Sequence, residues 1–250
     1  MVFTFDELAR CKPFTTTMRD LLRFLEQRYR HPIDIEFAVE ALKTWPKPAF
    51  RITLLQCRPL SQHLSEVNRW VPEGMLERIR YIVYVKPEAY RHIADPFMRM
   101  EVGRVVGRIN ETFKERNFIL IGPGRWGTSN ALLGVRVTSA DIYNCRALIE
   151  VAFSDGSSSP EMAYGTHFFQ DLVESKIFPL ALFPSEEYTF FNWTFFNNAP
   201  NILPDLFPVD AEWADVISVI DVPQVTNGRL VEIIMDGHHD EALGYLKQYD

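Results

Sequence analysis

The sequence of 250 residues lacks the features that mark several special classes of protein. Its three cysteines are odd in number and far apart, which excludes a disulfide framework and a cysteine-based metal site and favours a reducing cytoplasm. No apolar run approaches the roughly 20 residues needed to span a bilayer, and the N-terminal MVFTFDELARCK carries acidic residues where a secretory signal would not. No basic tract accompanies the net charge of -7. We therefore expect a cytoplasmic protein with neither a membrane nor a nucleic acid as partner.

The composition and the hydrophobic pattern predict a mixed α/β (α+β) fold. Apolar residues make up 47% of the chain and charged residues 24%, the balance of an ordinary globular protein. Helical and strand patterns alternate along the chain, with Asn227-Gly228 as a hairpin turn between the last two strands. We predict helices at 15–30, 96–115 and 167–175, and strands at 33–39, 50–58, 79–85, 117–121, 134–137, 146–153, 178–183, 216–222 and 229–235.

The first two predicted strands carry the most informative polar residues. If 33–39 and 50–58 pair as a hairpin, Glu36, Gln56 and Arg58 converge within side-chain reach. A carboxylate and an amide oxygen suit a magnesium ion, and a guanidinium can clamp a terminal phosphate. The alternative is a half-exposed hairpin whose polar face meets water, and the alternation by itself favours that alternative.

These residues also carry a family resemblance. The segments DIEFA (34–38) and LLQCRP (54–59) are similar to the signature that ends the ATP-binding domain of the phosphoenolpyruvate synthase and pyruvate, phosphate dikinase family. That domain has the ATP-grasp fold, and the resemblance covers about residues 15–60. It implies ATP and magnesium as cofactors, with Glu36 and Gln56 facing the metal and Arg58 facing the phosphates. Asp34 is structural by the same resemblance, and Phe37 replaces the family's usual tryptophan.

The resemblance also implies what the chain does not contain. In that family the glycine-rich phosphate loop and most of the adenine pocket lie upstream of this signature, and the phosphohistidine domain has no counterpart here. We therefore expect part of an ATP-dependent phosphotransferase of the kinase type that supplies Mg-ATP phosphate contacts, with no catalytic residue assigned. Its partners would be ATP and the missing N-terminal ATP-grasp half or a partner domain, and it would be inactive alone. The alternative is a non-catalytic ligand-binding or regulatory module that retains a remnant of the ATP-grasp hairpin.

A second candidate site is the glycine-rich stretch IGPGRWGTS (121–129). It formally matches the dinucleotide pattern G-x-G-x-x-G, yet the chain turns back into a predicted strand instead of a long helix, and Pro123 removes an amide. A tight structural turn is therefore the favoured interpretation. In the functional alternative, Arg125, Thr128 and Ser129 contact a phosphate or a carboxylate. IGPGRWGTS and YGTHFFQDL (164–172) resemble a domain of unknown role, spanning about 75–205, in bacterial multidomain proteins with a phosphoenolpyruvate synthase-like ATP-binding region.

The remaining candidates are histidines, and the domain boundaries follow from composition. His167 at a predicted helix start could bind an anion or act as a base, although a lone histidine is more often structural. His238-His239-Asp240 could ligate a metal, but adjacent residues rarely chelate. We predict that residues 1–60 form the C-terminal portion of an ATP-grasp-like domain and 61–76 a linker. Residues 77–205 would form an accessory α/β domain with a mixed sheet, and 206–250 closing strands and a tail.

Overall fold

The structure, a computed structural model, describes residues 6–30, 33–43, 49–59, 71–114, 117–152, 162–164 and 166–249. The helices are α1 (Asp6–Arg10), α2 (Lys12–Tyr29), α3 (Pro87–His92), α4 (Pro96–Thr112), α5 (His167–Glu174), α6 (Trp193–Asn198), α7 (Leu203–Leu206) and α8 (Val222–Val225), with 3-10 turns at Ser139–Asp141 and Pro208–Trp213. The strands are β1 (Ile33–Lys43), β2 (Ala49–Pro59), β3 (Gly74–Ile79), β4 (Tyr81–Val85), β5 (Phe118–Pro123), β6 (Ala147–Val151), β7 (Phe178–Leu182), β8 (Ile217–Asp221), β9 (Leu230–Asp236) and β10 (Glu241–Lys247).

The chain divides into two units, of which the first is Met1–Val67. In it β1 and β2 pair antiparallel, which confirms the predicted hairpin. Helix α2 packs on one face of this hairpin, because the ring of Phe14 lies 6.3 Å from that of Phe37 and 5.7 Å from that of Phe50. One face of the hairpin is therefore apolar and partly covered by α2, with Phe37 and Leu54 still 37% and 40% exposed.

The second unit, Asn68–Asp250, contains two sheets. In the five-stranded sheet the order is β7-β6-β5-β4-β8; β4 to β7 run parallel, and β8 is antiparallel to β4. The three-stranded sheet has the order β10-β9-β3 and is antiparallel. The expectation of a mixed α/β fold with a mixed sheet is confirmed.

Two apolar clusters lie on the two faces of the five-stranded sheet. On one face Val83, Leu120 and Leu148 pack under α4 and α5. On the other face the sheet packs on the three-stranded sheet through side chains such as Ile119 and Ile233. Alternation along each strand sends neighbouring side chains to opposite clusters. Near-continuous apolar strands such as FILIGP therefore bury both faces.

Short polar signals set the helix ends that matter for the candidate sites. Asp95 caps α4 by accepting a hydrogen bond from Phe97 N at 2.8 Å, and Pro96 follows at the first helical position. Thr166 caps α5 by accepting one from Phe169 N at 3.3 Å. None of the helices in the described residues has both the length and the apolar character needed to cross a bilayer.

Several predicted elements differ from those observed. Residues 135–137 form no strand, and Gly134 makes only an isolated bridge with Gly124. Asn227-Gly228 does not close a hairpin, because the strands on either side belong to different sheets. Gly74–Leu76, assigned to the linker, begins β3, whereas 60–70 lie outside the described residues.

The C-terminal segment also differs from the expectation. Residues 206–250 are not separate from 77–205, since β8 pairs with β4 as the last strand of the five-stranded sheet. The sequence pattern also missed β10 and five short helices, α1, α3, α6, α7 and α8. Within α6, the rings of Phe195 and Phe196 pack against the cluster between the two sheets.

Candidate functional site

The hairpin places the predicted metal and phosphate residues in two cross-strand pairs that follow each other on one face. Glu36 lies directly opposite Gln56, and Asp34 lies directly opposite Arg58. Opposed residues in an antiparallel pair share a face, with Cβ atoms about 5 Å apart. Glu36 is exposed and Gln56 half-buried, whereas the side chains of Asp34 and Arg58 lie outside the described part of the structure. The pairing thus places all four residues on one face.

This face is the one that α2 leaves uncovered. Side chains alternate along β1, so Glu36 and Glu40 point away from Phe37, which contacts Phe14 of α2. Glu40 pairs with Arg51 across the strands at 2.7 Å, and both side chains are more than half exposed. The face that α2 leaves uncovered, here called the open face, therefore carries the exposed Glu40–Arg51 ion pair and, further along the strands, the opposed residues Glu36 and Gln56.

The residues on this face fit a magnesium ion held mainly by phosphates. Mg²⁺ usually keeps several waters and takes only one or two protein carboxylates beside the phosphate oxygens. Glu36 and Gln56 provide one carboxylate and one amide oxygen on a single rung. A cluster of three or more His, Cys, Asp or Glu side chains suited to a metal ion is not found among the described residues. The hairpin could thus assist a metal ion that is bound to a nucleotide.

The glycine-rich loop at 122–134 is a closed turn. Gly124 N donates to Val151 O at 2.9 Å, Arg125 N to Leu133 O at 2.9 Å, and Gly127 N to Val135 O at 3.1 Å. The amide between them, Trp126 N, donates to Glu150 Oε1 at 2.7 Å. Four consecutive amides are thus engaged within the protein, so they cannot cradle a pyrophosphate. The geometry supports the structural turn and not the dinucleotide pattern.

Glu150 joins this loop to the segment that precedes α5. It lies in β6, and its second carboxylate oxygen accepts a hydrogen bond from Ala163 N at 2.7 Å. Only 5% of Glu150 is exposed, and this burial raises its pKa to about 7 against the opposing effect of the two amides. The positive charge of Arg125 also lowers this pKa, but less than burial raises it. A buried carboxylate therefore fixes two chain segments at the carboxyl edge of the parallel strands.

The two glycine-containing motifs meet at this point. Gly127 has φ +69°, and a Cβ atom built on it would lie 2.2 Å from Cγ of Phe168. Only glycine fits so close to the first turn of α5. Arg125 is half-buried, Ser129 is exposed and Thr128 is buried, with Thr128 Oγ1 accepting a hydrogen bond from Asn130 N at 3.1 Å. The loop and the start of α5 are thus in direct contact.

The candidate histidines lie in two different environments. His167 is the first residue of α5 and is half-buried. His239 is exposed, and its Nδ1 lies 2.7 Å from Asp236 Oδ2. That contact raises the pKa of the His239 imidazole. His238 and Asp240 lie in the same turn between β9 and β10, but the contact partner of His239 is Asp236, not the neighbours that sequence proximity suggested.

Glu150 is the residue that sequence reasoning missed. The sequence does contain a signal for it, because Glu150 is the one carboxylate in the otherwise apolar strand ALIEV.

Comparisons of the chain with models of protein families, with curated proteins and with solved structures find no match in any of the three.

Proposed function

We propose that the first unit supplies metal and phosphate contacts to an ATP site in a phosphotransferase that resembles the phosphoenolpyruvate synthase and pyruvate, phosphate dikinase family. The observation that supports this most strongly is the register of the hairpin, with Glu36 opposite Gln56 and Asp34 opposite Arg58. Helix α2 packs on the other face, so the register puts these four residues on the face that α2 leaves open.

In this proposal the hairpin forms one wall of an ATP-grasp site. Glu36 and Gln56 would ligate magnesium, and Arg58 would bind the terminal phosphate and stabilise charge that develops on it. The adenine contacts and the glycine-rich phosphate loop would come from an N-terminal ATP-grasp half or a partner domain outside the 250 residues. The phosphate would pass to a histidine located elsewhere. By itself the chain would bind ATP weakly.

The test uses the paramagnetic ion Mn²⁺ with ATP and the amide resonances of the hairpin. We expect Mn-ATP to broaden the signals of Glu36 and Gln56 first. Arg58→Ala should weaken binding about 10- to 100-fold, since a charge-assisted contact contributes about 1.5–3 kcal/mol. Arg51→Ala is the matched control, because Arg51 lies on the same face and pairs with Glu40.

Two outcomes would contradict this assignment. One is broadening that is centred on Glu40 and Arg51 instead of the Glu36–Gln56 rung. The other is binding that Arg58→Ala and Arg51→Ala weaken equally.

The second candidate function is a ligand-binding or regulatory module centred on the loop at 122–134 and the start of α5. It is supported by Glu150, which fixes both segments, and by the contact of Gly127 with Phe168. Arg125 and Ser129 would contact an anion there. Inorganic phosphate should shift the side-chain resonances of His167, and Arg125→Gln should abolish this shift. Arg136→Gln is the control, because it alters an exposed arginine, and it should leave the shift unchanged. An effect of equal size in both variants would refute this candidate.

A further inference from the structure

The strand β10 presents an unpaired edge within the part of the chain that the structure describes. It pairs with β9 on one side only, because the sheet order is β10-β9-β3. It also exposes apolar side chains on both of its faces, with Leu243 62% and Leu246 40% exposed. Edge strands of this kind pair readily with another strand, and natural proteins usually block them with charges, prolines or bulges.

The sequence of β10, EALGYLK, is complementary to itself in the antiparallel direction. If two copies pair about Gly244, each Glu241 lies opposite Lys247 of the other copy. In the same register Ala242 faces Leu246, and Leu243 faces Tyr245. Opposite charges and apolar pairs on directly opposed positions stabilise a sheet, whereas like charges there destabilise it. A single register therefore satisfies the charged and the apolar positions together.

We propose that two copies of this chain associate through antiparallel pairing of their β10 strands about Gly244, which joins two three-stranded sheets into one of six strands. Lys247 can take part although its Nζ already lies 2.7 Å from Glu232 Oε2, because an ammonium group has three donors. A contact of this kind is isologous, as in most homodimers. We expect one strand of 7 residues per copy to bury less than the roughly 800 Å² per partner of a standard interface, so the dimer should be weak and depend on concentration.

Cysteine cross-linking tests the register directly. A Cβ atom at Gly244 meets only Cγ1 of Ile233, at 3.8 Å, so Gly244→Cys fits in the monomer. Directly opposed Cα atoms are about 4.5–5.5 Å apart, which is within the range that a disulfide bridges. Ala242→Cys is the matched control, because in this register the two copies of residue 242 lie about 13 Å apart. Cys11 and Cys57 are replaced by serine throughout to remove background.

We expect mild oxidation to give a covalent dimer with Gly244→Cys and little with Ala242→Cys. Equal cross-linking of the two variants, or none with Gly244→Cys, would overturn the proposal.

Sedimentation velocity of the unmodified chain provides the second measurement. The weight-average mass should rise from 29.0 kDa toward twice that value as concentration increases. Glu241→Lys places like charges opposite each other twice and should weaken association about tenfold or more. Glu111→Lys makes the same charge change at an exposed position in α4 and should leave association unchanged. A mass that is independent of concentration, or an equal effect of both variants, would refute the dimer.

Discussion

Replacement of Glu150 by glutamine should change how the stability of the second unit depends on pH. The side chain is almost fully buried, and each carboxylate oxygen accepts one backbone hydrogen bond of 2.7 Å. Burial raises its pKa to about 7 in the folded protein, from 4.5 in the unfolded chain. Between these two values the folded protein holds a proton that the unfolded chain has released. The free energy of unfolding must therefore fall as pH rises through this range.

The size of the effect follows from the two pKa values. Each pH unit between 4.5 and about 7 corresponds to about 1.4 kcal/mol. Ionisation of Glu150 should thus lower the stability of the unit by roughly 3 kcal/mol between the two ends of the range. Glutamine has the shape of the neutral acid and does not titrate. Its NH₂ group opposes one of the two amide donors, so Glu150→Gln carries a constant cost of about 1–3 kcal/mol that does not vary with pH.

The assay compares slopes instead of absolute stabilities. Urea unfolding would be followed at pH 5 to 8 by hydrogen exchange of the β5 amides, because this fully buried strand reports on the second unit as a whole. The wild-type stability should fall with pH by about 1.4 kcal/mol per unit more steeply than that of Glu150→Gln up to about pH 7. Glu174→Gln alters an exposed carboxylate of α5 and should keep the wild-type slope.

Arg125 provides an independent check of the same reasoning. Its charge lowers the pKa of Glu150, so Arg125→Gln should extend the steep region to higher pH. If the free energy of unfolding depends on pH in the same way for the wild type and Glu150→Gln from pH 5 to 8, the raised pKa of Glu150 is refuted. That result would mean that the two amides compensate fully for burial and hold the pKa near its ordinary value.

Three further predictions concern packing and buried polar groups. Gly127→Ala should destabilise the second unit by at least about 2 kcal/mol in thermal melts, because the new Cβ would overlap the ring of Phe168 at a positive φ. The control Gly244→Ala, at an open position, should change the stability by no more than about 0.5 kcal/mol. Tyr84→Phe should be neutral or stabilising in urea, because Tyr84 Oη is buried without a hydrogen-bond partner among the described residues; a loss of more than about 1 kcal/mol would reveal a partner. Asn201→Ala should cost about 2–4 kcal/mol, since its amide makes four hydrogen bonds to backbone atoms of 203–219; a cost below about 1 kcal/mol would show that water replaces them.

The three longest helices and most strands could be predicted because their signals are local. The predicted helix at 96–115 is observed as Pro96–Thr112, and the predicted strand at 178–183 as Phe178–Leu182. A cap, a proline and an apolar period are sufficient to locate such elements. The failures involve non-local pairing. Asn227-Gly228 has the composition of a hairpin turn, but β9 pairs with β3 and β10 and not with the preceding β8.

The environment of Glu150 could not be predicted for the same reason. A lone carboxylate in an apolar strand is visible in the sequence, but its two partners are backbone amides of Trp126 and Ala163, which carry no side-chain signal. The loop at 122–134 is the opposite case, in which a visible sequence pattern has a structural cause. Its glycines match a ligand-binding pattern, yet they serve φ angles of +63° at Gly124 and +69° at Gly127 and the close approach of Phe168.

The hairpin shows how one irregularity decides which residues can form a site. Strict alternation along β2 would place Arg51 and Gln56, five residues apart, on opposite faces. The register instead shifts between Glu36–Gln56 and Phe37–Leu54, so Leu55 is an extra, unpaired residue of a bulge. Because of this bulge, Arg51 stays opposite Glu40 and Gln56 stays opposite Glu36 on the same open face. Without it, either Arg51 or Gln56 would point toward Phe14 and α2. The bulge therefore keeps the polar side chains of β2 on the open face and out of the apolar contact with α2.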